Sequence, residues 1–275
     1  MSRRLFCEIS PLTYRISVVK ERLLRRLRDA FSHEKFAKTY SNTELPVKIY
    51  HHKSLIRRKL GNVDMRLQEN KAVNLSIAAP KVSGVLIRPG ETFSFWHLVG
   101  STSAKKGYLE GLFLTKAGEG RGIGGGLCQF TNLLHWMALH SELRVVEHHH
   151  HDGLDMFRDY GRQVPFGTGT SIAYNYLDYR LFNPTSRTYQ FIVYTDDEYL
   201  CGELRASEYE DFSWHIHAEN ECFRRENGTV YRCGEVWRER IDKRTGISVE
   251  RELVRRNHAR VAYDTDGLEI IEEGG

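Results

Sequence analysis

The chain has 275 residues, 40% of them hydrophobic and 28% charged, which is typical of a globular protein with one large or two modest domains. Its net charge of +4 at pH 7 is too small to predict a nucleic-acid-binding surface over the whole protein. The five cysteines include no CxxC pair, and no window approaches about 18 uninterrupted apolar residues. We therefore predict no cysteine-built zinc site, no cofactor, no membrane-spanning helix and a cytoplasmic location.

The composition divides the chain into four predicted segments. These are an N-terminal basic helical segment at 1–60, a core domain at 61–206, a C-terminal β-meander at 207–263 and an acidic tail at 264–275, which we expect to be disordered. Between residues 17 and 39, apolar side chains recur at helical spacing with arginines among them. This pattern is typical of a basic amphipathic helix that either packs on the protein or contacts a membrane surface.

The core domain is predicted to combine strands with two helices. The predicted strands are 45–50, 85–87, 91–96, 143–147, 171–183, 187–195 and 199–206, and the predicted helices are 64–83 and about 127–140. Residues 100–126 contain nine glycines and are predicted to form a long functional loop. In the meander, Asn227-Gly228 indicates one hairpin turn and residues 242–246 a second. The predicted fold is therefore α+β, with an antiparallel sheet that carries the Cys128 helix.

A cysteine stands where the glycine-rich loop becomes this helix. Four glycines fill five positions from Gly122 to Gly126, and Cys128 follows. Glycines permit backbone conformations closed to other residues, and a helix N-terminus favours the thiolate form of a cysteine. Cys128 is therefore a candidate nucleophile, and the alternative is a buried cysteine beside a tight turn.

A histidine tract from His148 to His151 supplies a candidate base. It follows Cys128 by one helix and one strand, an order that lets the strand return beside the start of the helix. A histidine would exchange the thiol proton, an aspartate would orient the ring, and backbone N–H groups near Gln129 would line an oxyanion site. The predicted catalytic residues are Cys128, His149, His150, His151, Asp155 and Asp178.

Two other interpretations of the tract remain open. Alternate residues of a strand share a face, so a histidine pair with Asp152 or Asp155 and Cys128 is also typical of a zinc or iron site. In the other interpretation the histidines are solvated or cap a turn. We assign no metal ligand from the sequence.

A non-catalytic binding module is the alternative function. Aromatic side chains and the 100–126 loop would then form a groove for a peptide or a glycan fragment. The predicted substrate-binding residues are Gly124, Gly125, Gly126, Gln129, Trp96, Tyr108 and Tyr176, with Tyr174 beside them.

Several separate blocks of the sequence resemble the VanW family. In chain order they are Arg88–Phe95, Gly107-Tyr108, Gly124–Gln129, Pro165–Thr170 and Tyr176–Arg180. The resemblance implies an accessory role in glycopeptide (vancomycin) resistance or cell-envelope biology, with a peptide-like or peptidoglycan-precursor substrate. It implies no particular reaction, so thiol-dependent acyl transfer or amide hydrolysis stays a hypothesis that rests on Cys128 and the histidines. Where the family usually has Glu-Arg before the histidine region, this chain has Glu147-His148.

Overall fold

The computed structural model describes residues 5–59, 64–115, 118–150, 153–158 and 163–272. Within these residues the α-helices are α1 (Pro11–Phe31), α2 (Met65–Ala78), α3 (Phe95–Val99) and α4 (Cys128–Leu139). Among the described helices, none combines the length and the apolar character needed to traverse a bilayer.

The described strands form three sheets and one separate hairpin. The strands are β1 (Lys35–Phe36), β2 (Thr39–Tyr40), β3 (Val47–Leu55), β4 (Val85–Ile87), β5 (Glu91–Ser94), β6 (Glu110–Thr115), β7 (Gly118–Ile123), β8 (Arg144–Glu147), β9 (Leu154–Asp155), β10 (Arg180–Phe182), β11 (Tyr189–Thr195), β12 (Tyr199–Ala206), β13 (Phe212–Glu226), β14 (Thr229–Asp242), β15 (Ser248–Val261) and β16 (Ile270–Ile271). The first sheet has the order β1-β5-β10-β8, the second β2-β4-β11-β12-β3 and the third β16-β13-β14-β15-β9, while β6 and β7 pair with each other. Most neighbours are antiparallel, which confirms the predicted α+β class.

Helix α4 lies between the second and third sheets. On one side, Leu133 and Met137 pack so closely on β12 that a Cβ added to Gly202 would come within 2.7 Å of the Met137 side chain. On the other side, Trp136 and Leu139 join Ile216 and Val236 of the third sheet in a buried apolar cluster. The predicted apolar helix is thus confirmed, and both of its faces are covered. The predicted division of the chain at residue 206 stays a prediction.

Helix α1 occupies an earlier segment than the pattern predicted. It begins at Pro11 because the Ser10 hydroxyl accepts a hydrogen bond from Thr13 N at 3.2 Å, and proline is well suited to a first helical turn. It ends at Phe31 rather than residue 39, and the residues that follow contribute the short strands β1 and β2.

Two predicted strands are shorter than expected. The extended segment at 91–96 stops at Ser94, whose hydroxyl caps α3 by accepting from His97 N at 3.2 Å. The predicted strand at 171–183 is extended only over β10, because Ala173 and Leu177 close a turn with a 2.9 Å hydrogen bond.

The glycine-rich segment and the tail are more ordered than predicted. Residues 100–126 include the β6–β7 hairpin, in which the Phe113 ring lies so close to Gly120 that a Cβ there would meet it at 2.6 Å. The acidic tail, predicted to be disordered, adds β16 to the third sheet, and Glu272 pairs with Arg225 at 3.1 Å. The hairpin turn at Asn227-Gly228 is confirmed, with the positive φ values that a tight two-residue turn requires.

Buried ion pairs attach α1 to the first sheet. Arg25, the one buried residue among the described positions of α1, forms a two-pronged pair with Glu147 and contacts Asp29 at 3.2 Å. Arg180 contacts Asp29 at 2.7 Å and Asp178 at 2.9 Å. All five side chains are at most 16% exposed. Charges buried this deeply are stable only when each has its partner.

We predict that Arg180→Ala lowers the free energy of unfolding by about 3–5 kcal/mol, because it removes one of the two cations that the buried carboxylates of Asp29 and Asp178 share. The measurement is urea unfolding followed by circular dichroism. The control is Arg225→Ala, which breaks the exposed pair with Glu272 and is expected to cost about 0–1 kcal/mol. Equal effects of the two substitutions would contradict this account of the buried pairs.

Candidate functional site

In the glycine turn before α4, the backbone at Gly125 passes very close to the backbone at Gly111. Gly124 and Gly126 have φ values of 81° and 90°. A Cβ on Gly125 would lie 2.2 Å from the backbone of Gly111, and one on Gly126 would collide with the side chain of Lys71. These contacts require glycine for packing, independently of any substrate.

Cys128 is the first residue of α4 and its side chain is half-buried. Burial raises the pKa of its thiol, although a hydrogen bond with the backbone of Ile172 acts in the opposite direction. The Thr131 and Thr170 hydroxyls donate to the Cys128 carbonyl at 3.2 and 3.3 Å. The environment therefore favours the neutral thiol at neutral pH, whereas a helix N-terminus alone predicts a thiolate.

The histidines next to β8 have contacts of their own. His148 Nε2 lies 3.1 Å from the carbonyl oxygen of Gly169, and His149 Nε2 lies 2.9 Å from Glu147 Oε1. The His150 ring packs against His148 with 3.9 Å between ring centroids. His151, the fourth member of the tract, lies outside the described residues. Among the described histidines, none hydrogen-bonds to the Cys128 sulfur.

The two predicted orienting carboxylates bind to other partners. Asp155, in β9, accepts from the Tyr263 hydroxyl at 2.9 Å, and burial raises its pKa. Asp178 accepts from Trp96 N at 3.0 Å and belongs to the ion pairs that hold α1. Asp155 and Asp178 thus hydrogen-bond to partners outside the histidine tract, and the catalytic triad stays a prediction.

The remaining predicted binding side chains have contacts within the protein. The Gln129 amide donates to the Leu55 carbonyl in β3 at 2.9 Å. Trp96 and Tyr108 are buried in the core, and Tyr176 interacts with a tyrosine of α1. Trp96 also packs against Tyr174, with 5.5 Å between ring centroids, and a shared groove stays a prediction.

The sequence interpretation missed His135, which follows Cys128 by two turns of α4. Its Nδ1 lies 3.1 Å from the Tyr179 hydroxyl, and its ring centroid lies 4.1 Å from that of His148. Burial and the neighbouring His148 and His150 lower the pKa of His135 well below its usual value. The sequence feature that could have revealed this residue is a histidine within the otherwise apolar face of the predicted helix.

His135 also borders an open pocket of about 620 Å³ between α4, β8 and the third sheet. Its walls include His148, Trp214, Arg238 and Arg240. Three buried nitrogens at these walls have no hydrogen-bond partner in the part of the chain that the structure describes: His135 Nε2, Trp214 Nε1 and Arg240 Nε. Orphaned polar groups of this kind are rare in folded proteins unless water or a ligand satisfies them.

The charges of the pocket are nearly balanced. The Arg238 guanidinium stacks 3.5 Å from the Trp214 ring and lies 3.5 Å from Glu252. Arg240 lies 3.4 Å from Glu250 and 3.9 Å from a further glutamate of the wall. Because the arginines already have acidic partners, the unpartnered N–H groups suit carbonyl oxygens better than a highly charged anion.

The fold defines an α+β protein in which a glycine turn leads into α4 and a histidine strand lies beside that helix. Comparison with known proteins identifies its family. The profile of the family described as "VanW like protein" matches residues 70–205. The chain is 30% identical over 238 residues, 86% of each chain, to the vancomycin B-type resistance protein VanW of Enterococcus faecalis. The chain therefore belongs to the VanW family.

A second relative matches a shorter region. The uncharacterized protein YoaR of Bacillus subtilis is 27% identical over 118 residues, which cover 42% of this chain and 36% of YoaR. No solved structure matches this chain.

The raised pKa of Cys128 predicts a particular pH profile for its alkylation. Because the thiolate is the reactive form, the rate with iodoacetamide is expected to be low at pH 7 and still rising above pH 9. Peptide mass spectrometry measures this rate for each cysteine, with the half-buried Cys7 as the reference. A plateau of the Cys128 rate below pH 8 would contradict the predicted neutral thiol and support a catalytic thiolate.

Proposed function

We propose that this chain is an accessory protein of glycopeptide resistance or cell-envelope biology that binds a peptide-like ligand in the pocket beside His135. The three unpartnered nitrogens in the pocket walls carry this proposal. A peptide offers carbonyl oxygens, which are the acceptors that the Trp214 Nε1–H and Arg240 Nε–H donors lack. Its amide groups both donate and accept, and so suit His135 Nε2 in either tautomer. A stem peptide of a peptidoglycan precursor has this chemistry.

Thiol-dependent acyl transfer at Cys128 is the second candidate. Its support is the position of Cys128 at a helix start and the backbone hydrogen bond from Ile172. Against it stand the raised thiol pKa and the engagement of Asp155 and Asp178 with partners other than the histidine tract. The geometry therefore favours binding over catalysis.

The pocket is tested with Trp214→Phe, which keeps the ring under Arg238 but removes the Nε1–H donor. Calorimetry with synthetic stem pentapeptides ending in D-Ala-D-Ala or D-Ala-D-lactate is expected to show a dissociation constant about 2- to 12-fold higher than for the unmodified protein, the cost of one hydrogen bond. The matched control is Trp237→Phe, because Trp237 Nε1 already donates to Glu235 at 3.1 Å and lies outside the pocket. No binding by the unmodified protein, or equal affinity of all three forms, would overturn the proposal.

We further propose that α1 rests on an anionic membrane surface. Its apolar side chains face away from the protein: Leu12, Ile16, Val19, Leu23 and Leu27 follow one another at intervals of three or four residues, and all are exposed. Leu12 is 67% exposed and Val19 63%. Exposed apolar stripes of this length are typical of contact surfaces.

Basic side chains border this stripe and indicate its partner. Helical spacing places Arg15 and Arg26 along one edge and Lys20 along the other. Such a helix buries its apolar face among lipid chains while its cations meet anionic headgroups. A second copy of α1 would instead bring like charges together. All five cysteines are free thiols, which supports the cytoplasmic leaflet as the location.

Co-sedimentation with vesicles tests the membrane contact. The full chain is expected to bind phosphatidylcholine vesicles that contain phosphatidylglycerol, and Val19→Glu is expected to weaken this binding by at least about tenfold. The control is Val249→Glu, at an exposed apolar position of β15. Absence of binding, or self-association of the chain that Val19→Glu abolishes, would overturn the proposal.

A further inference from the structure

A row of metal-ligating side chains crosses three strands of the third sheet, away from the pocket. Cys222 in β13 is paired with Cys233 in β14, and Cys233 is paired with His258 in β15. Directly opposed residues of antiparallel strands project from the same face, with Cβ atoms roughly 4.5–5.5 Å apart. Two thiols and an imidazole therefore stand side by side.

Glu226 adds a carboxylate to this row. One of its oxygens lies 2.9 Å from His258 Nε2, and single ligand atoms of Glu226, Cys233 and His258 all lie within 4.8 Å of one another. Zinc bonds of about 2.0–2.3 Å place tetrahedral ligands roughly 3–4 Å apart, so small side-chain rotations bring these atoms to bonding positions. The Tyr231 ring stacks on His258 with 4.4 Å between centroids and supports the imidazole plane.

We propose that Cys222, Cys233, Glu226 and His258 form a binding site for a zinc-class divalent cation. Thiolate and imidazole ligands select such metals, and four protein ligands make a closed, structural site. On binding, each thiol releases one proton to solvent and its sulfur forms a bond to the metal, so no oxidant or reductant is needed. The cation joins β13, β14 and β15 near the Asn227-Gly228 turn.

A second histidine–glutamate pair on the same sheet supplies the contrast. His217 Nε2 lies 2.9 Å from Glu219, as His258 lies from Glu226. Its cross-strand partner is Trp237 rather than a cysteine. The proposal therefore predicts metal binding at His258 and none at His217.

The experiment uses the full chain, reduced and freed of metal, titrated first with Co(II) and then with Zn(II). We expect one Co(II) per chain, with the near-ultraviolet absorption of a thiolate–cobalt bond that Zn(II) removes. Cys233→Ser is expected to abolish this absorption and to weaken Zn(II) binding by at least about 100-fold, because even outer-shell partners contribute roughly 10–100-fold. His217→Gln is the matched control and is expected to bind like the unmodified protein.

The His258→Gln variant distinguishes a loss of metal binding from a loss of folding. The His258 side chain is 53% exposed, so this variant is expected to retain the circular dichroism of the unmodified protein while losing tight metal binding. Absence of the thiolate–cobalt absorption in the reduced chain would overturn the proposal. So would unchanged Zn(II) affinity in both the Cys233 and the His258 variants. These outcomes involve neither peptide nor vesicle, so they are separate from the tests of the proposed function.

Discussion

The buried ion pairs between α1 and the first sheet determine the arrangement of the N-terminal half of the protein. Arg25 and Arg180 share the carboxylates of Asp29, Glu147 and Asp178 in a region closed to bulk water. Removing an ion from water costs several kcal/mol, and this cost is recovered only when all of the partners are in place. Helix α1 therefore has essentially one way to dock, and that way turns its polar face inward.

The same ion pairs influence the histidine strand. Glu147 binds Arg25, and its Oε1 also contacts His149 and the backbone N–H of Asp178. This contact turns His149 towards the ion pairs, while His148 packs on His135 of α4. His148 consequently lies beside the middle of α4 and the pocket. The His149 carbonyl accepts from the backbone N–H of Ser171, whose neighbour Ile172 hydrogen-bonds to the Cys128 thiol.

Local patterns predicted the elements whose stability is local or whose burial is complete. Helix α4, the β11–β12 hairpin and the Asn227-Gly228 turn follow directly from spacing and turn chemistry. The amphipathic period of α1 was also recognised. Periodicity shows that a helix has two faces, but only the buried carboxylates decide which of them meets the protein.

The candidate site around α4 and the proposed metal site were less predictable, because both depend on strand register and on distant partners. Cys222, Cys233 and His258 are separated by 11 and 25 residues, and only the pairing of three strands makes them neighbours. The predicted pairing of Cys128 with a histidine of the tract rests on chain order, which fixes neither the direction of the returning strand nor its register, so it stays a prediction. The raised pKa of Cys128 likewise follows from tertiary burial, which the position at a helix start does not reveal.

The packing of the glycine turn bears on how relatives of this chain are interpreted. Gly125 is required because its backbone lies against the backbone of Gly111, and Gly126 is required because the Lys71 side chain packs against it. A relative that folds with the same packing needs the same small residues, whatever its chemistry. In this chain the glycine block is thus a requirement of architecture, and its presence does not by itself imply a reaction.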